Sequence, residues 1–179
     1  MGIPMNNYLV VTALGADSSD IVNQFTQNLA NCGGNILNTR MTTLGSEFAI
    51  MVLIEGSWGA IAKIETSLPA IENHLGLITS IRRTTPRNTS QKTMTYVVHV
   101  VTIDRTAILT DLSQFFSTQD INIEDVSAHT YYAHTGTRMV AITMNINISV
   151  NVHLPTLREQ FMTYCDALNL DAGMEPLRD

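Results

Sequence analysis

The chain has 179 residues, 45% hydrophobic and 15% charged, with ten basic against sixteen acidic residues and a formal net charge of −6. That length suits one mid-sized domain or two small ones, and the acidic balance argues against a protein that tracks nucleic acid with a basic stripe of its own. No apolar run approaches the roughly 18 residues a membrane-spanning helix needs.

The start, MGIPMNN, has no cationic stretch followed by an apolar one, so no secretion leader is expected. Gly2 does not make a myristoylation signal, because Asn6 stands where that motif wants Ser or Thr. Met5 is a candidate natural start, with residues 1–4 then a cloning remnant. Cys32 and Cys165 are the only cysteines and neither belongs to a CxxC, a usage that suits a reducing cytoplasm better than a disulfide scaffold or zinc site.

In chain order, YLVVTAL (8–14) reads as a strand by its β-branched content. A helix is expected from Ser18 to about Ala30, with Asp17 as N-cap and Asp20 at N3 favouring the helix dipole. CGG (32–34) supplies the left-handed residue that ends it. ILNTRMTTL, a turn at Gly45 and EFAIMVLI form a hairpin. A second helix opens at Ser57, where Trp58, Ile61, Ile64, Leu68 and Ile71 recur at three- or four-residue steps as a core-facing stripe. Pro69 predicts a break or a new first turn. LITSIRRT closes the unit as a strand.

The pattern then repeats. Adding 87 carries Asp17, Ile21, Val22, Phe25 and Leu29 onto Asp104, Ile108, Leu109, Leu112 and Phe116, and Asn35-Ile36 onto Asn122-Ile123. Gly45 matches Gly136 at an offset of 91, so the second hairpin is about four residues longer. Between the copies TPRNTSQKT (85–93) is polar and aperiodic and reads as a linker, leaving domains at 1–84 and 94–179. Each copy has the order β-α-β-β-α-β, so the expected class is α+β: two tandem ferredoxin-like units, each an antiparallel four-stranded sheet with helices on one face. In VAITMNINI the alternation puts Val140, Ile142, Met144, Ile146 and Ile148 on one side, whereas YLVVTAL and FAIMVLI are apolar almost throughout. The first copy's bare sheet face is therefore expected to be covered by the other copy or by a second chain.

The pattern resembles the ACT domain, and two such units in tandem without a catalytic module resemble the glycine cleavage system transcriptional repressor family. The matching segments are YLVVTALGAD (8–17), CGGNI (32–36), LGSEF (44–48) and GSWGAIAKIETSLP (56–69), with the likeness strongest over 8–84. The resemblance implies an amino-acid-responsive co-regulator that restrains a DNA-binding transcriptional activator by contact, without binding DNA itself, in the cytoplasm and as a homodimer. A regulatory subunit of a metabolic enzyme is the alternative. A small amino acid such as glycine would be the ligand, bound where copies of the fold meet. Carried residue by residue, the contacts fall on Asp17, Ser18, Ser19, Asn35 and Ile36 in the first copy, and on Asp104, Arg105, Thr106, Ala107, Asn122 and Ile123 in the second. Helix N–H groups would receive the carboxylate, with Asn35 or Asn122 completing the pocket. The plain alternative is that Asp17 caps a helix and Asn35 turns the chain.

ACT ligand loops commonly carry Pro-Gly before the first apolar helix residue. Here Ser19-Asp20 and Thr106-Ala107 stand in that place, a departure bearing on ligand binding and not on the fold. The second loop is expected to be the better carboxylate site. Asp20 adds bulk and negative charge to the first, whereas Ala107 adds only a methyl and Arg105 offers a fork of donors. Salt-bridging of Arg105 to neighbouring Asp104 is its competing role.

No catalytic or metal chemistry stands out, and neither cofactor nor enzyme activity is expected. His74, His99, His129, His134 and His153 make no ligand pattern, and His99, inside VVHVV, is expected to be largely covered. No GxSxG or glycine-rich phosphate loop occurs, and Cys165 is expected in the core of the last helix. Glu124 and Asp125, adjacent on a strand, are expected on opposite faces. RRTTPR (82–87) reads as a solvated edge rather than a DNA contact.

Overall fold

The computed structural model describes residues 7–86 and 92–177. The expectations for residues 1–4 and the centre of the linker lie outside the described residues. The chain divides into two compact units, Met1–Arg87 and Asn88–Asp179.

The first unit runs β1 (Asn7–Ala16), α1 (Ile21–Asn31), β2 (Asn35–Leu44), β3 (Glu47–Gly56), α2 (Trp58–Leu75) and β4 (Ile78–Thr84). The second runs β5 (Thr93–Ile103), α3 (Ile108–Thr118), β6 (Asn122–Tyr132), β7 (Arg138–Ser149), α4 (Leu154–Ala167) and β8 (Asp171–Pro176). Each forms one antiparallel sheet, ordered β2-β3-β1-β4 and β6-β7-β5-β8. This is the expected split βαβ, twice.

Alternation along β1 and β3 buries Leu9, Val11, Ala13, Phe48, Ile50, Val52 and Ile54 beneath α1 and α2. The continuous apolar run thus has a buried side and a second side formed by Val10, Leu14, Met51 and Leu53, two of them half-exposed. In the second unit Val140, Ile142, Met144, Ile146 and Ile148 are all buried, as the alternation predicts. Phe116 stacks on Phe161 with ring centroids 5.3 Å apart, an aromatic centre that the first unit fills mostly with aliphatic side chains.

Several local expectations change. The first helix begins at Ile21, so its N-cap is Asp20 and not Asp17; a backbone turn, Ile21 N–H to Ser18 C=O, fills the preceding residues. Trp58 is the first residue of α2 and is 67% exposed, so the buried stripe begins only at Ile61. The Ser57 hydroxyl accepts from the Ala60 N–H at 3.2 Å, the N-cap expected. Pro69 does not break α2, which runs on to Leu75; it sits on the solvent side, between buried Leu68 and Ile71.

Both second strands carry a bulge at equivalent places, between Ile36 and Asn38 and between Ile123 and Asp125. The second cancels the alternation assumed for Glu124 and Asp125. Glu124 accepts from Asn147 at 3.0 Å, and Asn147 pairs with Thr95 on the same sheet face that carries Asp125 opposite Asn145. The extra four residues of the second hairpin lie where expected, for Asn35 and Asn122 differ by 87 and Glu47 and Arg138 by 91.

Candidate functional site

The segments singled out from sequence are the loops after β1 and β5 and the starts of β2 and β6. In the first unit Asp17 N–H donates to Ser46 C=O at 3.1 Å, tying the loop to the hairpin turn. Asp20 then occupies the N-terminus of α1 with its own charge. Its carboxylate accepts from Asn23 Nδ2 at 3.0 Å and Gln24 Nε2 at 2.8 Å, and these two bonds hold its pKa below the ordinary carboxylate value. An incoming carboxylate would meet that anion on the first turn of the helix.

The second loop is built differently. Ala107, at the N-cap of α3, has φ 69° and ψ 8°, the left-handed region, and makes no side-chain cap bond. A residue with a Cβ is costly there, by about 1–2 kcal/mol. The corresponding Asp20 has φ −112°. The second loop therefore keeps a glycine-type backbone at the position where the ACT pattern has glycine. The amides of Ile108, Leu109 and Thr110 precede the first intrahelical bond of α3, which Asp111 N–H makes to Ala107 C=O at 2.9 Å.

Arg105 does not pair with Asp104. Its Nη2 donates to Asp111 Oδ2 at 2.8 Å and its Nη1 to Thr106 C=O at 3.1 Å. Asp104 is taken by Arg138, Nε to Oδ2 at 2.8 Å, from the start of β7. Ion pairs this exposed contribute at most about 1 kcal/mol, so the Arg105 guanidinium can exchange Asp111 for another carboxylate at little cost. Tyr164 of α4 donates to Asp111 C=O at 2.9 Å, and burial, then the Asp111 charge, push its phenol pKa up. Asp111, Arg138 and Tyr164 were missed from sequence. The signal available was the acid at the end of DRTAILTD, in reach of the arginine six residues before it.

The registers separate the loops from the asparagines. Asn35 lies opposite Glu55, itself opposite Tyr8 at the start of β1, and Asp17 follows nine residues later, about 30 Å along the strand. Asn122, Asn147 and Thr95 repeat that row at the start of β5, with Asp104 at the far end. No pocket within one unit can hold both, which corrects the expectation that Asn35 or Asn122 completes the pocket of its own loop. Asn122 and Ile123 instead line an open cleft of about 360 Å³ with Ser113, Ser117, Asp120 and Ile121, at the C-terminal end of α3.

The remaining candidates are structural. Cys165 is fully buried, and burial pushes its thiol up to about 11. Cys32 ends α1 with Sγ 3.7 Å from Ser67 Oγ. His99 is exposed rather than covered, because VVHVV alternates and His99 falls on the side away from the helices; its Nε2 lies 3.6 Å from Glu175 and its Nδ1 3.3 Å from Thr143. Arg83 forks onto Glu65 with two bonds of 2.8 Å. Among the described residues no group of three potential metal ligands occurs, and no helix is long and apolar enough to cross a membrane.

Comparison with known proteins adds to this geometry. The family model for the ACT domain matches residues 7–82. The glycine cleavage system transcriptional repressor of Escherichia coli (strain K12) is 31% identical over 180 residues, covering 97% of this chain and 92% of that protein. The protein of the same name from Shigella flexneri matches equally. A crystal structure assigned to the same kind of repressor superposes with a TM-score of 0.76 at 28% identity, covering 98% of this chain and 99% of the other. An unknown protein from Galdieria sulphuraria shares the fold, with a TM-score of 0.77 at 21% identity over 97% of this chain and 99% of the other.

Proposed function

The chain belongs to the glycine cleavage system transcriptional repressor family and is a regulatory protein rather than an enzyme, and on that premise we propose that it is an amino-acid-responsive co-regulator, restraining a DNA-binding activator by protein contact. The observation that carries this reading is the end-to-end likeness to the repressor, which spans both units. The acidic balance supports indirect action, since a net charge of −6 disfavours the phosphate contacts on which operator binding rests. The cytoplasm is the proposed site of action and a homodimer the proposed form.

Within this reading the second loop is the better end for a ligand carboxylate. Free α3 amides, the left-handed Ala107 and the exchangeable Arg105 converge there, whereas Asp20 fills the equivalent place in the first unit. Asp17, Ser18 and Ser19 are then a weaker carboxylate site than Asp104, Arg105, Thr106 and Ala107. Asn35-Ile36 and Asn122-Ile123 can serve a loop only from another copy of the fold, since their own loops are a sheet length away.

The deciding experiment is affinity capture of the tagged full chain from its native cell, with and without added glycine. A helix-turn-helix regulator retained in a glycine-dependent way is the expected result. A biosynthetic enzyme in its place supports the regulatory-subunit alternative instead. A sequence-specific gel shift by the purified chain alone at physiological salt overturns the indirect mechanism.

A further inference from the structure

Each sheet turns one face to the helices of its own unit and leaves the other free of them, and the two free faces differ in charge. In the first unit Leu53 and Val10 form a central row, with Met51 one row on. Arginines stand at the borders: Arg82 on β4, opposite Val10, and Arg40 on β2, opposite Met51. The second unit has Val97 at the centre and carboxylates at the borders, Asp125 on β6 and Glu175 and Asp171 on β8. Whole units follow suit. Residues 1–87 carry five basic and six acidic side chains, residues 88–179 five and ten.

We propose that the free sheet face of the first unit docks on the free face of the second unit of another copy of this chain. The inference rests on the homodimer proposed above, but on neither the ligand nor the regulator. Two sheets stacked with aligned strands lie about 10 Å apart, close enough for their side chains to interdigitate. With equivalent strands running the same way, the order β2-β3-β1-β4 lies over β8-β5-β7-β6, so β2 covers β8 and β4 covers β6. Setting the Val10 row over the Val97 row then brings Leu53 over Val97 and Arg82 over Asp125. One row on, Arg40 comes over Gly173, which has no side chain, between Glu175 and Asp171. Met51 meets His99, which stands beside Glu175 and Thr143. Leu53 thus covers Val97 while Val10 comes over Asn145, and each arginine meets carboxylates at the rim, the charge complementarity of a protein interface.

The size fits as well. Four strands about 4.8 Å apart and about 26 Å long present about 500 Å² a face. Reciprocal exchange of both faces between two chains buries about 2,000 Å² in all, within the range of specific, stable interfaces. Stacking leaves the strand edges and both loop ends free.

The test is the association constant of the full chain, measured by sedimentation velocity and light scattering, with circular dichroism confirming the fold of each variant. A dimer is expected, weakened at least about tenfold by Arg82→Asp or Leu53→Lys and by raised salt. Arg82→Asp combined with Asp125→Arg should return to within about threefold of the parent, a rescue that a general loss of stability does not give. A monomeric parent chain overturns the docking and the homodimer together. A dimer unmoved by Arg82→Asp and Leu53→Lys overturns the assignment of faces alone, and one broken by Arg82→Asp but not restored by the swap overturns the overlay.

Discussion

Ala107 is held left-handed at the start of α3, where its methyl is the only obstacle to a backbone glycine adopts freely. Ala107→Gly should raise stability by about 1 kcal/mol, read from urea midpoints. In calorimetric titrations with glycine and serine it should leave binding intact or improve it. Arg105→Ala should weaken that binding, and Asp20→Gly should leave it in place. Binding that survives Arg105→Ala unchanged, or disappears with Asp20→Gly, refutes the ranking of the two loops. Cys165 makes a separate prediction. Burial raises its thiol from 9.0 to about 11, so the folded chain holds a proton that the unfolded chain has released between those values. Its contribution is complete below pH 9 and is lost as pH rises towards 11. Alkaline unfolding should show a fall across that window that Cys165→Ala reduces, and thiol reagents should modify Cys32 well before Cys165 in the native chain.

Helix termini show how the two copies solved one problem with different residues. All four helices are followed by a left-handed residue: Gly33 and Gly76 in the first unit, Asp120 and Asn169 in the second. The amide after each returns to a carbonyl five residues back, as in Leu77 to Glu72 and Leu170 to Cys165. Glycine has no Cβ to crowd that conformation, so Asp120→Gly and Asn169→Gly should each stabilise by about 0.5–1 kcal/mol, and Gly76→Ala should cost about 1 kcal/mol in thermal melts. Gly33 was legible as a cap from CGG, because glycine after a helical period announces its role. Asp120 and Asn169 were not, since Asp and Asn are as common in ordinary turns. The same distinction runs through the fold. The buried side of β7 could be read from its alternation and the stripe from Ile61 to Ile71 from its period. The exposure of Trp58 and the continuity of α2 through Pro69 depended on where one helix began and which way it faced. Ala107 gave no sign, because nothing in its side chain calls for a positive φ. The separation of Asn122 from the loop before α3 followed from strand direction, which a motif scan does not track.

At the scale of the molecule, each unit has its own core and its own sheet, so damage to one should be confined. Phe161, fully buried against Phe115 and Phe116, is a suitable probe. Phe161→Ala should cost the second unit about 3–5 kcal/mol and open an early thermal transition, while the first unit's amides stay protected from hydrogen exchange. Residues 1–84 expressed alone should self-associate or bind a hydrophobic dye through the Leu53–Val10 face. A clean monomer that binds no dye counts against a partner for that face.

Gly34 sits so close beneath α2 that a Cβ there would come within 2.8 Å of both Ile54 Cγ2 and Ile64 Cδ1. The equivalent residue of the second unit is Ile121, whose whole side chain is buried in its core. One half closes its helix-to-strand corner by leaving a gap unfilled, the other by filling it. The halves have therefore lost the freedom to trade parts. A recombination that copied the corner of either half into its twin would drive an isoleucine into backbone and side chains, or leave a hole the size of one. The order of strands is still common to both halves, but their corners are no longer interchangeable.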